Sequence, residues 1–194
     1  MARFRRGRGG LVSIDLDPVE VDVLGSLARE VLELLDVPLA PPTHGLDPLQ
    51  VQLGLTDLDP SGELGDGPTA PPEDEVLQRL LPDAYGDDPR AAAEFRRFTE
   101  RGLRERKAAA GRRMLESLQP VQGQGGRVQL DAEGARAWLA ALNDIRLALG
   151  TRLGVEDDVE EQLAGLDDDD PRRYAFAVYD FATYLQETLV RSMP

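Results

Sequence analysis

The stretch DPRAAAEFRRFTERGLRERKAAAGRRMLESL, Asp88 to Leu118, decides the fold. Asp88 is a preferred N-cap and Pro89 suits a first helical position. Gln119-Pro120 and the glycines at 123, 125 and 126 stop the run. The spacing therefore predicts one long helix. Its charge is opposite to that of the chain. The 194 residues carry Lys+Arg 22 against Asp+Glu 36, a formal net charge of −14. Yet Glu94 to Glu116 holds eight basic and four acidic residues, a local +4. Arg3, Arg5, Arg6 and Arg8 add another +4, which leaves −22 for the remainder. Charge separated this far is a statement about contacts, within the molecule or with a partner.

On a helical wheel, Arg97, Arg101, Arg104 and Arg112 share one sector about 80° wide. Phe95, Phe98, Leu103, Ala109, Ala110, Met114 and Leu118 lie opposite and are the expected core face. Arg106 and Arg113 fall near that face, where they are expected to snorkel or to pair with carboxylates. The sector Arg97–Arg112 is the candidate partner-binding stripe. A solvated, salt-bridged face is the plainer explanation of it. Docking onto the acidic stretch Glu156–Asp170, in this chain or in a second copy, explains it as well as an outside partner does. The −22 elsewhere works against nucleic acid, because it repels phosphate unless the basic groups face one way.

Outward from this helix, Leu11–Leu16 and Arg127–Leu130 read as short strands. Each follows a glycine-rich turn and leads through Asp17 or Asp131 into a helix. The two could pair as a minimal two-stranded element, with both helix N-termini at one edge. The first helix carries the stripe Val21, Leu24, Leu27, Ala28, Val31, Leu32, Leu35. The second carries Trp138, Leu139, Leu142, Ile145, Leu149, Leu153. A last helix opens at Asp170-Pro171 with Tyr174, Val178, Phe181, Leu185, Thr188 and Leu189. Shorter helices are expected over Glu73–Leu81 and about Val159–Leu163. Residues 37–73 are rich in Pro, Gly and Asp and read as a loop insertion, with one short helix from Asp47-Pro48. The expected fold is mainly α: one helical domain over 1–194 with a small β element.

Composition narrows function. A hydrophobic fraction of 41% fits a globular chain. Cysteine is absent, which excludes a disulfide framework, a thiolate metal site and a cysteine nucleophile. Leu11–Asp15 is too short and polar for a signal core, and no apolar run has the length of a membrane span. A cytoplasmic protein is expected. Asp57–Gly62 begins like a calcium loop, but its twelfth position is Pro68 rather than Glu, so no metal is assigned. His44, the only histidine, lies in a Pro-rich loop without a triad context. No catalytic residue and no cofactor are assigned. Asn143 and Arg146 flank the Trp138 stripe, and Asp180 or Glu187 of the last helix could accept their hydrogen bonds. That set reads as a structural polar network; a polar enzyme pocket at Asn143, Arg146 and Asp180 ranks lower.

Three stretches carry a resemblance: Phe95–Lys107, Trp138–Gly154, and Tyr174–Phe181 with Leu185-Gln186-Glu187. Together they resemble an actinobacterial family filed as a domain of unknown function and often encoded near the Clp-protease adaptor ClpS. The resemblance spans nearly the whole chain outside 37–73. It implies a regulator rather than an enzyme. Some relatives are described as oxidative-stress regulators that sense redox state through a cysteine pair and work with the transcription machinery. A chain without cysteine cannot inherit that switch. What remains is partner binding: a transcription-related protein or DNA on the basic stripe. The alternative is self-assembly, a homodimer in which the stripe meets acidic segments of a second subunit.

Overall fold

A computed structural model describes residues 2–35, 70–155, 159–167 and 169–193. The insertion expected at 37–73, with its Asp47-Pro48 helix, lies outside the described residues apart from 70–73. So do His44 and the Asp57–Gly62 segment.

The described residues form three strands and six α-helices. In chain order they are β1 (Arg5–Arg6), β2 (Val12–Leu16), α1 (Pro18–Leu34), α2 (Glu75–Leu80), α3 (Pro89–Leu118), β3 (Gly126–Leu130), α4 (Ala132–Leu153), α5 (Val159–Ala164) and α6 (Arg172–Ser192). The fold is mainly α, as the periodicities require.

Aspartates set the helix starts by satisfying amides that a first turn leaves without partners. Asp17 accepts from the Glu20 amide at 2.8 Å, and Glu20 accepts in return from the Asp17 amide at 2.9 Å. Asp88 accepts from the amides of Arg90 and Ala91. Asp131 accepts from Gly134 at 2.7 Å. α4 ends on Gly154 in the left-handed conformation, φ 61°.

The sheet has three strands rather than two, in the order β1-β2-β3, all antiparallel. Val12 pairs with Leu130 and Leu16 with Gly126. This register corrects the expectation that both helix N-termini share one edge. Antiparallel strands send α1 and α4 off opposite ends of the sheet. Alternation puts Val12, Ile14, Leu16, Val128 and Leu130 into the core and leaves Asp15 and Arg127 outside. There they form a two-bond pair at 2.8 and 3.0 Å. The turn into β3 requires glycine at 125: φ is 70°, and a Cβ would stand 2.7 Å from the Leu16 carbonyl oxygen.

α4 is the central helix, packed against α3, α6, α2 and α1. Trp138 is fully buried, edge-on to Phe4 at 5.5 Å, and its indole N–H donates to Ser117 Oγ at 2.8 Å. Leu24, Met114, Leu142, Ile145, Leu185 and Leu189 complete the interior. Each such side chain contributes on the order of 1.5–3 kcal/mol by burial. The α1 stripe is buried as read, with Leu27 half-buried. Tyr174, expected on the inner stripe of α6, is exposed; α6 buries Phe176 and Ala182 together with Leu185, Thr188, Leu189 and Ser192.

Candidate partner-binding site on the long helix

α3 has two faces that differ in what they do with charge. The inner face over its N-terminal two-thirds is a line of ionised groups at helical spacing: Arg96, Glu100, Arg104, Lys107. Glu100 is the centre, with its side chain 3% exposed. Its Oε1 accepts from Arg104 Nε at 2.8 Å. Its Oε2 lies 3.6 Å from Arg96 Nε and accepts no hydrogen bond. Arg96, itself buried, also ion-pairs with Asp83. Arg104 reaches back to α1, donating from Nη1 to the carbonyl of Leu35 at 3.0 Å. Leu35 is the C-cap of α1, where a cation meets the negative end of the helix dipole.

One turn on, Lys107 Nζ donates to Asp144 Oδ1 at 2.6 Å. Asp144 sits on α4 and is 2% exposed. Burial pushes its carboxyl above the usual aspartate range, and the Lys107 ammonium pulls part of the way back. Beyond Lys107 the inner face turns apolar through Ala108, Gly111, Met114 and Leu118.

The outer face is different. Phe95 and Phe98 are 44% and 40% exposed. Tyr85, 50% exposed, meets Phe95 edge-on at 5.8 Å. The Arg97 guanidinium lies over the Phe98 ring at 6.0 Å. Arg101 is exposed and makes no hydrogen bond or ion pair among the described residues. Arg106 and Arg113 are exposed as well.

These positions correct the wheel. Phe95, Phe98 and Ala109 were expected in the core and face out. Arg106 and Arg113 were expected near the core and face out. Arg104 was expected on the exposed stripe and is 22% exposed, held between Glu100 and α1. Arg97 and Arg101 remain on the surface. Arg112 is half-buried and borders a groove between α3 and α1. The error has a physical cause: the wheel assigned the inner face to apolar residues, whereas this helix buries paired charges there.

The polar network also differs from expectation. Arg146 Nε donates to Thr183 Oγ1 at 2.9 Å, and its guanidinium stacks over Tyr179 at 5.6 Å and bonds Gln186. Asp180 is exposed, and Glu187 pairs with Arg191 on the surface. The tie between α4 and α6 thus runs through Arg146 with neutral acceptors. Asn143 is half-buried beside it; its neighbour Asp144 is the residue that joins α4 to α3.

Two signals in the sequence point to the missed residues. Glu100 has an arginine four residues to each side, which brings three charges onto one helix face. Lys107 is the single lysine among 22 basic residues. In a chain that otherwise uses arginine, a lone lysine marks a place where a compact ammonium fits and a planar guanidinium does not.

A mainly helical domain with a small antiparallel sheet and a charged inner seam is the class this structure defines. The chain belongs to the family described as a domain of unknown function, DUF2017, whose model matches residues 1–193. Among its relatives is the Mycobacterium tuberculosis protein named oxidative stress regulator AosR, 38% identical over 132 residues, which is 61% of this chain and 58% of that protein. The Mycobacterium bovis protein of that name matches to the same extent. The chain therefore spans under three-fifths of the length of these two relatives. A Mycobacterium leprae protein carrying the same name provisionally is 33% identical over 190 residues, 91% of this chain and 79% of that protein. No solved structure matches. No helix among the described residues is long and apolar enough to cross a membrane.

Proposed function

We propose that this chain is a non-enzymatic cytoplasmic regulator that binds a protein of the transcription apparatus through the outer face of α3. One observation carries the reading. On a helix whose inner face is fixed in the core, Phe95 and Phe98 stand exposed with Arg97 and Arg101, and Tyr85 of the preceding loop is exposed against Phe95. Exposed aromatic and arginine side chains are the types that dominate protein–protein binding energy. The regulator names of the relatives support the regulatory part of the reading. The −22 on the remainder weighs against DNA as the partner, since it repels a phosphate backbone. The sensing step lies outside thiol chemistry, because the chain has no cysteine.

The test is capture from native lysate with nuclease present, at low and high salt, using wild type and Arg97→Ala/Arg101→Ala as baits. Arg104 is left intact because it braces α1. A partner retained by wild type, weakened by salt and lost from the variant is the expected result. Equal retention by both baits contradicts the assignment of this face.

A further inference from the structure

α3 is held to the body in two different ways along its length. From Leu103 onward the anchor is apolar. Ala108, Ala110, Met114 and Leu118 belong to the core, and Leu103 and Leu115 pack against it. Gly111 lets Leu32 of α1 come close, with its carbons 3.3 Å from where a Cβ would stand. Before Leu103, no side chain of α3 belongs to the core among the described residues. Ala92 is buried outside it, and the other buried side chains there are charged, Arg96 and Glu100. Gly102, at the junction, adds no side chain to either part.

The ionic contacts of the first part are imperfect. Arg96 reaches Asp83, between α2 and α3, whose side chain is 39% exposed. Glu100 bonds Arg104 across the junction. Its second oxygen is buried without a hydrogen bond among the described residues, which raises the energy of the docked state. Buried ion pairs return little beyond the desolvation they cost. Without the body, Pro89–Gly102 is about 21 Å of helix, a length that is marginal alone in water. Undocking it exposes little new apolar surface, because Phe95 and Phe98 already face solvent. Few buried apolar contacts and a short helical unit are the conditions for local opening.

We infer that α3 is a hinged helix: Pro89–Gly102 opens from the body as a unit while Leu103–Leu118 stays docked, and the ion pairs of Asp83, Arg96, Glu100 and Arg104 are the clasp that closes it. The hinge regulates the binding face proposed above and, as regulation, rests on that reading. Phe95, Arg97, Phe98 and Arg101 all ride on the opening segment. A partner that grips them on the closed helix holds the segment shut, through its preference for that state. Whatever loosens the clasp lowers the fraction of the chain ready to bind.

Amide hydrogen exchange in the full chain, read residue by residue by NMR, tests the hinge. Protection over Ala93–Gly102 should be at least about tenfold lower than over Ala108–Leu118, because the first set opens without the second. Asp83→Asn loosens the clasp from outside the segment. It should lower protection over Ala93–Gly102 by a further factor of about two to five, the scale of one partly exposed pair, and leave Ala108–Leu118 unchanged. Uniform protection from Ala93 to Leu118 in the wild type overturns the hinge. So does an Asp83→Asn effect that is absent from Ala93–Gly102 or equally large over Ala108–Leu118. The two readings fail separately, since exchange is read without a partner. Uniform protection with capture still dependent on Arg97 and Arg101 removes only the hinge. Two levels of protection with capture indifferent to Arg97 and Arg101 removes only the outer-face assignment.

Discussion

The inner and outer faces of α3 have nearly the same chemistry and opposite roles. Inside, Arg96, Glu100, Arg104 and Lys107 alternate in sign or find partners on α1 and α4. Outside, Arg97, Arg101, Arg106 and Arg113 are accompanied by exposed phenylalanines. A charge removed from water must be paired, and one partner lost leaves the other buried and unmatched. A charge left in water contributes little to the fold and remains available to a partner. Burial, rather than residue type, therefore separates the groups that hold this helix from the groups that can bind with it.

The largest effect should come from the best-buried pair. Lys107→Met leaves Asp144 alone in the core and should cost about 3–5 kcal/mol of unfolding free energy near neutral pH. Chemical denaturation measures it. Lys107→Met with Asp144→Leu should recover much of the loss, because the unmatched charge is gone. If the double variant is no better than the single one, the pair is not what the site depends on.

Next is Glu100→Gln. It leaves Arg104 without its carboxylate and Arg96 with Asp83 alone, and should cost roughly 1–3 kcal/mol. Lys107→Arg should be milder, about 1–2 kcal/mol, since a larger fork must enter a tight site. A neutral or stabilising Lys107→Arg would remove the special meaning given to the lone lysine.

A pH effect sharpens the same comparison. The folded-state pKa of Asp144 lies above its unfolded value, with burial as the leading cause. Its contribution to stability is therefore fully present below the ordinary aspartate range. It is lost as pH rises through the raised folded value, because only the folded state resists ionisation there. Lys107→Met strengthens this trend by removing the compensating cation, and Asp144→Asn removes it. Unfolding curves across mildly acidic to neutral pH should show a steeper fall for Lys107→Met than for wild type. Parallel pH profiles for the two proteins would contradict the assignment.

Much of the architecture was legible in the sequence. Asp17, Asp88 and Asp131 marked their helix starts because each side chain satisfies amides locally, without help from distant residues. Alternation in Val12–Leu16 and Val128–Leu130 marked the sheet. The third strand escaped notice because Arg5-Arg6 pairs for two residues and carries no alternation. Strand direction also escaped, since alternation is the same in either sense.

The candidate site was legible only in part. Arg97 and Arg101 lie outside as expected, but Arg104 does not. A hydrophobic wheel has no means of showing that a helix will bury arginine against glutamate in place of phenylalanine. Asp144 was missed for the same reason, since its partner lies 37 residues away on another helix.

The smallest stability effect belongs to the outer face. Arg97→Ala/Arg101→Ala should leave unfolding free energy within about 0.5 kcal/mol of wild type, as surface changes usually do. Compared with Arg104→Ala in one urea titration series, it tests the division of α3 most directly. The account predicts near-wild-type stability for the first variant and a loss of roughly 1–3 kcal/mol for the second, which leaves Glu100 and the end of α1 without their partner. Equal losses, or the reverse order, would contradict it.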